Sequence, residues 1–81
     1  MVFEALNRLK WEGRLGGAAI VIVHRGAPGD RKSISGSSIT ELKRGHLCYD
    51  SGRGEVVMPL HRVLEVREGG SLLWKRRTGS G

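Results

Sequence analysis

Apolar residues recur with a period that changes along the chain, and the changes mark the elements. Between Val2 and Trp11, Val2, Leu6 and Leu9 fall at helical spacing, Phe3 widens the stripe, and Glu4 stands four residues before Arg8 in the favourable order. This predicts a short amphipathic helix, ended by Gly13 and the pair Gly16-Gly17, with Arg8, Lys10 and Arg14 complementing the C-terminal end of its dipole. Trp11 reads as a core residue, since a small domain needs its few aromatics inside. From Ala18 to His24 nearly every residue is apolar, which predicts a strand that is central or covered on both faces.

Alternation then weakens. Gly26 to Asp30 predicts a turn, Ser33 to Ile39 a short strand or extended connector, and Ile39 to Lys43 a single helical turn capped by Ser38 and broken by Arg44-Gly45. His46 to Asp50 predicts a second strand, with His46, Cys48 and Asp50 on one side and Leu47 and Tyr49 on the other. Ser51 to Gly54 is a turn, Glu55 to Met58 its hairpin partner, and Pro59 marks a bulge or an edge. Leu60 to Arg67 and Ser71 to Arg77 flank Glu68-Gly69-Gly70 as a tight hairpin, and residues 78–81 hold nothing to pack and are expected to form a flexible tail. Together these elements predict an α+β domain over residues 1–77, with an N-terminal helix packed on a small, mostly antiparallel sheet or partly open barrel of about five strands.

Composition narrows the function. With 81 residues the chain has room for one domain and no large active-site cleft. Lysine and arginine number 14 against 8 acids, a formal charge of +6, which points to a polyanion partner. Nucleic acid leads, although a ribosome-associated role or an anionic membrane surface suits the charge alone. The single Cys48 excludes an internal disulfide and fits a reducing compartment. The opening lacks the pattern of a signal peptide, and the apolar run Ala18 to Val23 is far below the roughly 20 residues that span a bilayer. A soluble cytoplasmic protein with no membrane partner is expected.

The chemistry concentrates where the first strand ends. His24-Arg25 is followed by Gly26-Ala27-Pro28-Gly29-Asp30 and then by Arg31 and Lys32, so a rigid strand delivers cations and closely approachable backbone N–H groups to a loop. One reading is an anion nest for phosphate, and the other is a solvated turn in which Asp30 pairs with a neighbouring cation. No Walker loop is present. Val23-His24-Arg25 is echoed by Leu60-His61-Arg62, and if the two segments neighbour each other both His-Arg pairs converge on one face. On a continuous strand Arg62 would enter an apolar stripe. Either a bulge near Pro59 turns it outward, or it lies at the rim of the core and reaches Asp30, Glu65 or a ligand phosphate. Two histidines near a phosphate can act as general base and general acid in RNA cleavage or cyclic-phosphate opening. No carboxylate within either segment orients an imidazole, so binding rather than catalysis is expected; in an enzyme, His24 and His61 would carry the chemistry. His46, Cys48 and Asp50 share a side without recognisable zinc-ligand pairs, and neither metal nor cofactor is expected. In Trp74-Lys75-Arg76-Arg77 the ring either stacks a base or caps the core, while the cations supply salt-sensitive affinity.

The succession from His24 to Lys32, then Ile34-x-Gly36-x-x-Ile39, then Pro59-x-His61-Arg62-Val63-x-x-Val66, and finally Trp74 with basic neighbours, resembles a small archaeal family once classed as uncharacterised. That family is described as an RNA cyclic-group end-recognition, or RNA repair, domain. The likeness runs from the helix with Leu6, Leu9 and Trp11 to Trp74, and Met58 stands where a branched apolar residue is commoner. It implies a module that binds RNA termini, particularly 2′,3′-cyclic phosphates at the 3′ end, and that works beside RNA ligases or other RNA-processing proteins. Carried over by position, His24, Arg25, Gly26, Gly29, Asp30, Lys32, His61 and Arg62 would face the ligand. The residues alone add Arg31 and Lys75 to the expected phosphate contacts, with Asp30 bracing the cations. An RNA phosphodiesterase or cyclic-phosphate hydrolase, and a general RNA-binding or ribosome-associated protein, are the alternatives.

Overall fold

The computed structural model describes residues 2–26 and 28–76; Ala27 of the predicted loop, Arg77 of the basic run and the predicted tail lie outside them. The chain opens with helix α1 (Val2–Trp11), which buries Val2, Leu6 and Leu9. Gly13, at φ 72°, ends it. Its N–H donates to the Lys10 carbonyl at 3.2 Å and the Arg14 N–H to that of Leu9 at 2.8 Å, the paired bonds of a Schellman ending. Arg14 then turns back to bind both carboxylate oxygens of Glu68, pinning the helix exit to the far side of the fold. Trp11 is not in the core: it is 82% exposed. It lies two residues beyond Leu9, about 200° around the helix, so the same periodicity that buries Leu6 and Leu9 turns it outward.

Seven strands follow, in two antiparallel sheets with no closed barrel, where the sequence pattern predicts about five strands in a mostly antiparallel sheet or partly open barrel. They are β1 (Ala18–Val23), β2 (Arg31–Ser35), β3 (Ile39–Leu42), β4 (His46–Asp50), β5 (Glu55–Pro59), β6 (Val63–Glu68) and β7 (Ser71–Lys75). The first sheet has the order β2-β1-β6-β7 and the second β3-β4-β5. The α+β class and the antiparallel pairing agree with the sequence pattern. The split arises at two 3-10 turns, Gly36–Ser38 and Leu60–Arg62, where the chain leaves one sheet for the other. Between the layers lies one core, in which Leu6, Ile20, Leu47, Val63 and Val66 are fully enclosed. Each contributes roughly 1.5–3 kcal/mol by leaving water. Met58 takes its place there as well, 4% exposed.

Two segments differ from the pattern-based reading. Ile39 to Lys43 does not form a helical turn; it begins as strand β3, whose backbone pairs with β4. The capping serine is Ser35 instead of Ser38: its hydroxyl accepts from the Ser37 N–H at 3.2 Å, while the Ser38 hydroxyl donates back to the Ser35 carbonyl at 2.7 Å. Strand β6 starts at Val63, because Pro59 leads into the turn Leu60–Arg62, which buries Leu60 and leaves Arg62 exposed. Among the described residues, no helix is long and apolar enough to cross a membrane.

Gly36 sits where the turn Gly36–Ser38 presses on the turn Leu15–Gly17. A Cβ there would overlap the Leu15 carbonyl oxygen and stand 2.9 Å from its carbon, both backbone atoms that cannot step aside. Gly36→Ala is expected to lose roughly 3 kcal/mol, the upper part of the overpacking range. Gly17→Ala, which meets nothing within 4 Å, is the matched control, expected to stay within about 0.5 kcal/mol of wild type in urea unfolding.

The carboxyl of Glu68 is held below its usual value by its bonds to Arg14, and that of Glu65 by its bond to Arg67, then by the charges of Arg67, Arg31 and Lys75 against the opposing effect of burial. A depressed native value makes the ionised forms stabilising above the unfolded carboxylate value of about 4.3, and that stability is lost as pH falls through the lower native values. Unfolding free energy measured against pH should therefore decline below about pH 4.3. Glu68→Gln should flatten that decline.

Candidate functional site

Antiparallel pairing of β1 with β6 sets the C-terminal end of β1 beside the N-terminal end of β6. A bulge between Val21 and Ile22 shifts the register, so that Ile22 faces Val63. The residues that follow β1, His24 and Arg25, therefore lie next to those that precede β6, His61 and Arg62. With Val23 these four border one open concavity of about 650 Å³. The two His-Arg pairs converge. Among the described residues neither guanidinium has an ion-pair or hydrogen-bond partner, and no carboxylate borders the concavity.

Both flanks are braced from the backbone. On the β1 side the His24 N–H donates to the Asp30 carbonyl at 2.8 Å and closes the loop that returns to β2. Within it Gly26 and Gly29 take φ values of 93° and 68°, and Asp30 a φ of 54°, left-handed geometry that glycine adopts without strain and aspartate tolerates. On the β6 side the Leu60–Arg62 turn is held at both ends. The Leu60 N–H donates to the Gly45 carbonyl at 3.1 Å. Arg76 donates from Nε to the Val63 carbonyl at 2.9 Å and from Nη2 to that of Leu60 at 3.1 Å, clamping the turn that carries His61 and Arg62.

The remaining expected contacts are distributed around this point rather than in it. Gly26, Gly29 and Asp30 belong to the adjoining loop. Asp30 braces no cation among the described residues; Arg31 bonds instead to Glu65 at 3.1 Å, because β2 starts at Arg31 and turns its side chain over β1 toward β6. Lys32 lies opposite Ile22 on the edge strand, exposed, on the face of β2 away from Arg31. Lys75 stands opposite Glu65 on β7. Trp74 is half-buried against the core, and the Arg76 guanidinium carbon lies 5.3 Å from its ring centroid, so the ring serves packing and the clamp. Arg76 escaped the sequence reading: as one of three adjacent cations, with contacts far back in the chain, it carries no local signal that sets it apart.

On β4, His46, Cys48 and Asp50 do share one side. The Cys48 sulfur lies 3.9 Å from a Glu41 carboxylate oxygen, and burial, reinforced by the charges of Glu55 and Glu41, pushes its thiol up. Among the described residues no three His, Cys, Asp or Glu side chains are grouped to hold a metal ion.

The chain is similar to archaeal proteins over nearly its whole length. The UPF0248 protein MJ1316 of Methanocaldococcus jannaschii is 36% identical over 81 residues, covering 95% of each chain. The UPF0248 protein of Pyrobaculum islandicum is 34% identical over 77 residues, which cover 94% of this chain and 89% of that protein. That of Pyrobaculum calidifontis is 36% identical over 75 residues, 91% of this chain and 95% of the relative. No solved structure matches significantly. Residues 1–76, the span that ends on Arg76, match the MJ1316 RNA cyclic group end recognition domain, and the chain belongs to that family.

Proposed function

We propose that the concavity bordered by His24, Arg25, His61 and Arg62 binds the terminal phosphate of RNA, with the 2′,3′-cyclic phosphate as its preferred end. The observation that carries this reading is the meeting of two His-Arg pairs from distant parts of the chain, with both guanidiniums unpartnered among the described residues. A cyclic phosphate presents two free oxygens and one negative charge. Arg25 and Arg62 supply charge-assisted hydrogen bonds to those oxygens, and the imidazoles complete the set as N–H donors. The description of the family supports the choice of ligand. Loop N–H groups around Gly26 and Gly29 supply further donors at the rim.

The role is binding. Neither imidazole is oriented by a carboxylate among the described residues, as a dedicated general base usually is. The deciding experiment compares one short RNA carrying a cyclic-phosphate, a 3′-phosphate or a 3′-hydroxyl end. Tighter binding of the cyclic end is expected, and equal affinity for all three refutes end recognition. Conversion of the cyclic end, lost in His24→Ala or His61→Ala with binding kept, would establish the hydrolase alternative.

Arg62→Ala removes one charge-assisted contact of about 1.5 kcal/mol or more, so affinity for the cyclic end should fall about tenfold. Arg76→Gln releases the turn without touching the ligand. It should weaken cyclic-end binding severalfold while leaving the His24 imidazole resonances of the free protein unmoved and shifting those of His61.

A further inference from the structure

The outer face of the four-stranded sheet is uncovered. Alternation along β1 sends Ala18, Ile20 and Ile22 to the core and Ala19, Val21 and Val23 to the opposite side. The register then fixes what shares that side: Arg31 opposite Val23, Ser33 and Glu65 opposite Val21, Ser35 and Arg67 opposite Ala19, and Lys75 opposite Glu65. Helix α1 packs its apolar stripe into the core beneath the sheet, so no described element covers this face. Ala19 and Val21 lie on the central strand β1 and Ser33 and Ser35 on the edge strand β2, with Arg31, Arg67 and Lys75 around them and the exposed Leu72 opposite Arg67.

Its one carboxylate among the described residues, Glu65, is only 6% exposed, held at 3.1 Å by Arg31 and at 2.8 Å by Arg67. Three cations therefore surround one neutralised anion, and all three side chains are exposed. The face is continuous with the terminal concavity, because Val23 borders the concavity and stands opposite Arg31.

We propose that this face is the track for the body of a single-stranded RNA whose terminus sits in the concavity, with Arg31, Arg67 and Lys75 contacting the phosphates upstream of the end. The proposal rests on the terminal-phosphate reading for its direction and on the charge and exposure of the sheet for its existence. Charge complementarity selects RNA as the occupant. With three cations around one carboxylate, a single exposed leucine (Leu72) and no exposed aromatic side chain, the face holds a phosphate backbone better than it stacks bases or buries a protein. The small side chains of Ala19, Val21, Ser33 and Ser35 let the chain pass without sequence preference.

The test compares wild type with Arg67→Gln and Ser33→Glu, both outside the concavity, against three probes: a 2′,3′-cyclic mononucleotide, an octanucleotide with a cyclic end, and the same octanucleotide with a 3′-hydroxyl. Ser33 is exposed on an edge strand, so its replacement keeps the fold even where loss of Arg67 disturbs Glu65. Both variants should bind the mononucleotide as wild type does and the two octanucleotides at least fivefold more weakly. For Arg67→Gln, the slope of log affinity against log salt should be shallower by about 0.7. Octanucleotide binding unchanged in both variants overturns the track while leaving end recognition standing. Equal binding of the two octanucleotides by wild type, with loss in the variants, removes end recognition and retains the track.

Discussion

The ladder between β1 and β6 is the constraint on which everything else depends. It is the central pair of the larger sheet; β2 and β7 attach to its two sides, and the core residues Ile20, Ile22, Val63 and Val66 come from it. Its bulge has two effects. In a regular ladder Ile22 would face Leu64, and Val63 would point away from the core with the outer residues. The extra residue instead puts Val63 inside, fully enclosed, and draws the preceding turn one residue along the strand, about 3.3 Å, toward the end of β1. The pairing of β1 with β6 brings the two His-Arg pairs together, and the bulge sets their offset while it buries Val63. The apolar core fixes the register, and the register fixes where the cations stand.

That dependence explains which parts of the molecule were legible in the sequence. Strands β1, β4 and β5 and the β6–β7 hairpin follow from alternation and turn residues, which are local, and helix α1 follows from its stripe. The His-Arg echo was visible too, but its convergence required knowing that β1 and β6 are partners, a contact between distant segments. Arg62 posed a problem only on the assumption of a continuous strand; the 3-10 turn after Pro59 dissolves it by exposing Arg62 while burying Leu60. Trp11 departs from the expectation because its angle on the helix, two residues beyond Leu9, outweighs the scarcity of aromatics that favours a core position. Ile39 to Lys43 was misplaced because a strand of four residues takes its stability from pairing with β4, which no local propensity reports. Arg76 was illegible for the same reason as the convergence: its bonds reach back to Leu60 and Val63, and only their spatial proximity distinguishes it from Lys75.

Each of the two sheets buries a titratable group, Cys48 in one and Glu65 in the other, and the charged side chains around the two differ in sign. On the outer side of the three-stranded sheet Cys48 lies among Glu41, Asp50 and Glu55. Burial first, then the charges of Glu55 and Glu41, push its thiol up. On the outer side of the four-stranded sheet the hydrogen bond from Arg67, and then the charges of Arg67, Arg31 and Lys75, hold the Glu65 carboxyl down although burial alone would raise it. Both groups are acids that lose a proton to become anions, and both are buried, so burial acts on them in the same direction. For Glu65 the bond to Arg67 and the charges of the three cations outweigh burial, whereas for Cys48 the carboxylates only reinforce it. The terminal concavity opens at the edge of the four-stranded sheet, between the two strands whose pairing built it.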